Sequence, residues 1–132
     1  MQTPAQQNLE TVRGVYNAYE TRDVDGLLGF LDDEFEVSQS ELLPWGGRYK
    51  GRDGMMEYIK GISTYVESGV VVEEMFEAGD HVIVIGRSRG KIKSSGRPYD
   101  VRLVDMCRVR DGKLLSLDIY TDTPAFLQAL AE

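Results

Sequence analysis

One carboxyl group in this sequence stands where carboxyl groups are expensive. Residues 98–110, PYDVRLVDMCRVR, alternate in two phases. One phase carries Tyr99, Val101, Leu103, Asp105, Cys107 and Val109; the other carries Pro98, Asp100, Arg102, Val104, Met106, Arg108 and Arg110. Successive side chains of a strand point to opposite faces, so the first set faces a core and the second faces outward. Asp105 is then an acid on an apolar face. A buried carboxyl without a charged partner raises its pKa and holds its proton, and in that state it donates a hydrogen bond to a developing oxyanion. The structural alternative is an Asp105 satisfied by a tyrosine hydroxyl, a buried water or an arginine, with no further role. Tyr16, Tyr19 and Tyr58 could supply hydroxyls to a ligand or serve as core aromatics.

The remaining candidates offer less chemistry. Cys107 has the inward phase but no acid–base partner nearby in sequence, and His81 opens a strand beside a turn. One cysteine and one histidine cannot build a structural zinc site or an intrachain disulfide, so no metal and no cofactor are expected. Gly46-Gly47 is not followed by the Lys and Ser/Thr of a phosphate loop. With 15 Lys and Arg against 22 Asp and Glu, the net charge of −7 argues against a nucleic-acid partner. No apolar run is long enough for a membrane span, and residues 1–10, MQTPAQQNLE, lack a secretory pattern, so a cytoplasmic location is expected.

The elements that position Asp105 follow from periodicity. At 132 residues the chain is read as a single domain, 1–132. In residues 4–22, Leu9, Val12, Val15, Tyr16 and Tyr19 fall within an arc of about 120°, one face of a helix. Asp23 can cap a short second helix with Leu27, Leu28 and Leu31 on its stripe. Asp32-Asp33 reads as a turn, 35–39 as a short strand, and 40–52, with Pro44 and three glycines, as a loop. A third helix is predicted over 53–67. Four strand runs follow at 69–77, 81–93, 98–110 and 114–121, the last two joined by Asp111-Gly112, a hairpin signal. Thr123-Pro124 reads as the start of a tail helix. Helices in front and hairpins behind give an α+β fold.

That order resembles the NTF2-like superfamily, in particular its SnoaL-like and ketosteroid-isomerase-like members. The resembling segments are DVDGLL at 23–28, RYKGRDG at 48–54, VDMCRVRDGK at 104–113 and YTDT at 120–123. The resemblance implies a cone: three N-terminal helices packed in a strongly curved mixed or antiparallel sheet around an internal apolar pocket. It also implies a homodimer through the outer sheet face. The resembling ketosteroid isomerases use a helix tyrosine and a protonated strand aspartate as an oxyanion pair, with a separate carboxylate as base. The aspartate falls on Asp105. The tyrosine falls on Val15, with Tyr19 about 40° and Tyr16 about 100° around the helix, so Tyr19 is the expected substitute. The base falls on Gln39, an amide, and Glu41 shares its strand phase and is the expected stand-in. The pocket-facing acid of the SnoaL-like cyclases falls on Ile119.

The resemblance thus implies a catalytic set of Asp105, Tyr19 and Glu41. Tyr16, Gln39, Tyr58, Leu103 and Ile119 would contact a ligand, with Trp45 at the pocket rim. The expected function is binding of a small apolar molecule bearing a carbonyl or hydroxyl, with cofactor-free isomerisation or aldol-type cyclisation. The alternative is a non-catalytic ligand-binding or dimerisation module of the same fold.

Overall fold

The computed structural model describes residues 3–132. Helix α1 (Pro4–Glu20) starts in a capping box between Thr3 and Gln6, with Pro4 in the first turn, and buries Val12 and Val15. Asp23 caps α2 (Val24–Gly29) by accepting from the Gly26 amide. Strand β1 (Leu31–Gln39) and the short β2 (Gly47–Lys50) precede α3 (Gly51–Tyr65). The long strands β3 (Val66–Ala78), β4 (His81–Ile92), β5 (Pro98–Arg110) and β6 (Lys113–Thr121) follow, then α4 (Thr123–Ala131).

Four expectations are corrected. Asp32-Asp33 is no turn: β1 begins at Leu31, and the irregular register between Leu31 and Glu36 absorbs the two acids. The segment 40–52 is not all loop, because residues 47–50 pair antiparallel with β1. Helix α3 ends at Tyr65 rather than 67, since β-branched Val66 adopts extended angles and turns its side chain into the core. Asp122, not Thr123, caps α4, its carboxylate accepting from the Ala125 amide.

The six strands form one curled, unclosed sheet in the order β2-β1-β6-β5-β4-β3. It is mixed: β1 pairs parallel with β6, and all other pairs are antiparallel. Asp111 and Gly112 both take left-handed angles, as a two-residue hairpin turn demands. Register breaks at Val72/Glu74 and Arg108/Val109 help bend the sheet around the helices. The bend brings backbones so close that a Cβ on Gly86 would lie 1.9 Å from the Val71 carbonyl oxygen. In β5 the alternation is as expected: Tyr99, Val101, Leu103, Asp105, Cys107 and Val109 are buried. Opposite them, Arg87 and Arg89 of β4 pair with Asp100 on the outer face. Among the described residues no helix is long and apolar enough to cross a membrane.

Candidate functional site

The inside of the sheet and one face of α1 enclose a cavity of about 60 Å³. Val12, Val15, Leu27, Met55, Leu103, Leu117 and Ile119 give it apolar walls, and Tyr16, Tyr19, Tyr58 and Asp105 are the oxygen-bearing residues among its lining. Helix periodicity places Val12, Val15, Tyr16 and Tyr19 on the inward face of α1. Strand alternation places Leu103, Asp105 and Cys107 opposite them.

Asp105 is 3% exposed. Its Oδ2 accepts a hydrogen bond from the Tyr16 hydroxyl, while its Oδ1 is buried without a protein partner. Burial pushes the carboxyl up to about 7, against the opposing pull of the Tyr16 hydroxyl, which favours the ionised form. Tyr16 in turn is held well above the usual phenol range, first by burial and then by the neighbouring Asp105 charge. The pair therefore leaves one carboxyl oxygen without a protein partner beside an apolar chamber, on a group that burial pushes toward its protonated form. Cys107 lines the same chamber, and burial pushes its thiol up, away from nucleophilic thiolate.

The structure exchanges the roles expected of the two α1 tyrosines. Tyr16, not Tyr19, reaches Asp105; the Tyr19 hydroxyl instead meets that of Ser68 on β3. Both rings face the cavity, but three residues of helix separate them by about 4.5 Å along the axis. Angular position, the basis of the expectation, does not resolve that height. Ser68 extends a run of hydroxyls: it approaches Tyr99, whose hydroxyl lies 3.1 Å from Ser88. All three of these residues are buried. Inward phase is the sequence signal that could have found Ser68 and Ser88, because two serines alternate with apolar positions on adjacent strands.

Gln39 and Trp45 are removed from the cavity. The Gln39 carbonyl oxygen accepts from the Trp45 indole at 2.9 Å and from the Tyr58 hydroxyl at 2.6 Å, and its amide donates to Thr121 at 3.2 Å. The position that resembles the family's base is thus a buried structural hub. Trp45 is no rim residue: it is 1% exposed and packs edge-on against Phe126 in the core. Tyr58 keeps its ring on the cavity while its hydroxyl is spent on Gln39. Glu41, the expected base, lines a separate polar groove with Ser40, Arg48 and Thr123, so it does not face Asp105. Its place after the last residue of β1 ends the alternation on which the expectation rested. Leu103 and Ile119 line the cavity, and Ile119 also borders that outer groove. Among the described residues no three His, Cys, Asp or Glu side chains gather as metal ligands.

Comparison with known proteins places this geometry in a wider set. The model of the SnoaL-like domain family matches residues 12–117. A search of curated proteins finds no significant match. Among solved structures, an NTF2-like protein of unknown function from Burkholderia pseudomallei superposes with a TM-score of 0.88 at 24% identity, over 96% of this chain and 98% of that one. An NTF2-like protein from Burkholderia xenovorans gives 0.84 at 26% identity, over 98% and 99%. TerC, co-crystallised with polyporic acid, gives 0.87 at 24% identity, over 96% and 99%.

Proposed function

This chain belongs to the SnoaL-like domain family, and on that premise we propose that it binds a small, mostly apolar molecule bearing a carbonyl or hydroxyl and moves a proton on it without a cofactor. The observation that carries the reading is the buried Oδ1 of Asp105, left without a protein partner on a residue that lines an apolar cavity. An orphaned oxygen in such a place costs free energy unless a ligand group or water meets it. Support for ligand capacity in the fold comes from TerC, which was co-crystallised with polyporic acid.

Asp105 is the carboxyl group lining the cavity, and in this reading it takes both proton roles. Ionised Asp105 removes a proton from the carbon next to a carbonyl. The C–H electron pair becomes a C=C bond, and the carbonyl oxygen becomes an enolate oxygen. In isomerisation Asp105 returns that proton to a more distant carbon of the conjugated system. In aldol-type cyclisation the enolate carbon attacks a second carbonyl, whose oxygen takes the proton instead. A carboxyl near 7 suits this work, since both forms are populated at neutral pH. Apolar walls strengthen each charge–dipole contact in the chamber.

The test is Asp105→Asn. The variant should fold and bind a phenol such as 4-methylphenol, an enolate mimic, at least ten-fold more weakly, with proton exchange next to a ketone carbonyl lost. Equal binding and exchange would end the assignment.

A second reading is a non-catalytic binding module. The saturated Gln39 hub favours it, because the position that resembles the family's base is spent on structure. Phenol binding without proton exchange in the wild type would select it. The half-exposed Val71, Phe76, Val104 and Tyr120 on the outer sheet face support pairing with a second copy. Sedimentation would read a dimer, and a monomer would remove that part of the reading.

A further inference from the structure

Arg22 occupies a position where glycine is usual. It lies immediately past α1 in left-handed backbone, φ 59°. There the Asp23 amide donates to the Ala18 carbonyl at 2.9 Å and its own amide donates to the Tyr19 carbonyl at 3.2 Å. This is the paired-bond helix ending that glycine serves best, and a side chain there carries backbone strain. Strain kept at one residue is a pointer to function. The side chain does not run out into solvent. Its guanidinium lies over the Tyr19 ring, 5.1 Å from the centroid, and donates to the Ser68 carbonyl at 2.8 Å. Among the described residues no carboxylate pairs with it.

Arg22, Tyr19 and Ser68 together line a vestibule of about 350 Å³ between α1 and β3. The vestibule shares Tyr16, Tyr19 and Val70 with the inner cavity, so the two adjoin. The hydroxyl run Tyr19, Ser68, Tyr99, Ser88 holds four protons and three mutual contacts. The Tyr19 and Ser68 end of that run lines the vestibule. Glu20 also lines this space, as does Arg89, whose partner Asp100 is held more closely by Arg87. The local balance stays positive on a chain of net charge −7.

We propose that this vestibule is a carboxylate subsite: Arg22 and the hydroxyls of Tyr19 and Ser68 hold the acidic tail of a substrate whose carbonyl or hydroxyl end reaches Asp105. The guanidinium fork suits a carboxylate better than any single point charge does. The substrate class is then a small oxo acid or hydroxy acid with a short apolar body. One helical step of about 4.5 Å between Tyr16 and Tyr19 sets the scale of that body, roughly one ring. The inner cavity is too small for a ring with the Tyr19–Ser68 contact closed, so binding opens that contact.

This inference rests on the reading of Asp105 as the polar end of the site. The test uses 3-(4-hydroxyphenyl)propanoic acid and its amide, titrated calorimetrically at pH 7. Wild-type protein binds the acid at least ten-fold tighter than the amide. Arg22→Gly abolishes that preference by weakening the acid far more than the amide, and does not lower the thermal midpoint, because glycine relieves the backbone. Arg22→Lys restores part of the preference. Equal affinities in the wild type, or an undiminished preference in Arg22→Gly, overturn the subsite. Asp105→Asn separates the two readings: it weakens acid and amide alike if Asp105 holds the phenol, and leaves both unchanged if that reading fails. Absence of binding by either compound overturns both.

Discussion

Replacing Asp105 by asparagine should make the protein more stable at alkaline pH and leave it about as stable, or slightly less so, in acid. Asparagine keeps the shape, still accepts from Tyr16, and never ionises. The wild-type carboxyl sits at about 7 in the folded chain against 3.8 for an ordinary aspartate. The folded state therefore holds the proton more tightly than the unfolded state does, and below pH 3.8 both carry it and nothing is lost. As pH rises from 3.8 to 7 the unfolded chain releases its proton freely while the folded chain resists. Stability falls through that window and levels off above it. The difference between 3.8 and about 7 corresponds to about 4 kcal/mol. That is a large share of the roughly 5–15 kcal/mol typical of a domain. Urea unfolding of both proteins at half-unit steps from pH 4 to pH 9 isolates the effect, since all other titrating groups are common to the pair. The stability difference should swing toward the asparagine variant by about 4 kcal/mol across the range. Parallel curves would mean that Asp105 is solvated or held by a cationic partner, and the reasoning about the cavity would fall with it.

Tyr16→Phe removes the hydroxyl that favours the ionised carboxyl, so the Asp105 midpoint should move above 7; carbon-13 NMR of labelled aspartate reads it, and an unmoved midpoint refutes the pairing. Gln39→Leu strands the Trp45 indole N–H and the Tyr58 hydroxyl in the core and should cost about 2–4 kcal/mol in chemical denaturation. A loss under about 1 kcal/mol would show that the hub is relieved by other acceptors. Gly86→Ala drives a Cβ against the Val71 carbonyl. It should destabilise by about 2 kcal/mol or more and raise amide exchange in the middle of β3, around Val71 and Val72, whereas wild-type protection there would contradict the close approach.

The parts of the fold carried by local periodicity were legible. Strand β5 alternates without interruption, so its buried set, Asp105 included, can be read from the chain. The Asp111-Gly112 turn and the α1 stripe announce themselves in the same way. What was not legible depends on partners distant in sequence. The parallel pairing of β1 with β6 and the antiparallel pairing of β2 join segments with no mutual local signal. Val66 reads as the last turn of a helix until the sheet claims it. Within the site, the choice between Tyr16 and Tyr19 turns on a few ångströms along the helix axis. Gln39 shows the same limit: its side chain looks available until Trp45 and Tyr58 are brought to it from positions 6 and 19 residues away. The meaning of Arg22 lies in a backbone angle, which residue type alone does not announce.

The most direct measurement is a crystal structure of the protein grown with 4-methylphenol. The account predicts the phenol oxygen within hydrogen-bond reach of Asp105 Oδ1, the ring against Val15 and Leu103, and the Tyr19–Ser68 contact opened. A phenol lodged elsewhere, with Asp105 Oδ1 bonded to a protein group, would contradict it.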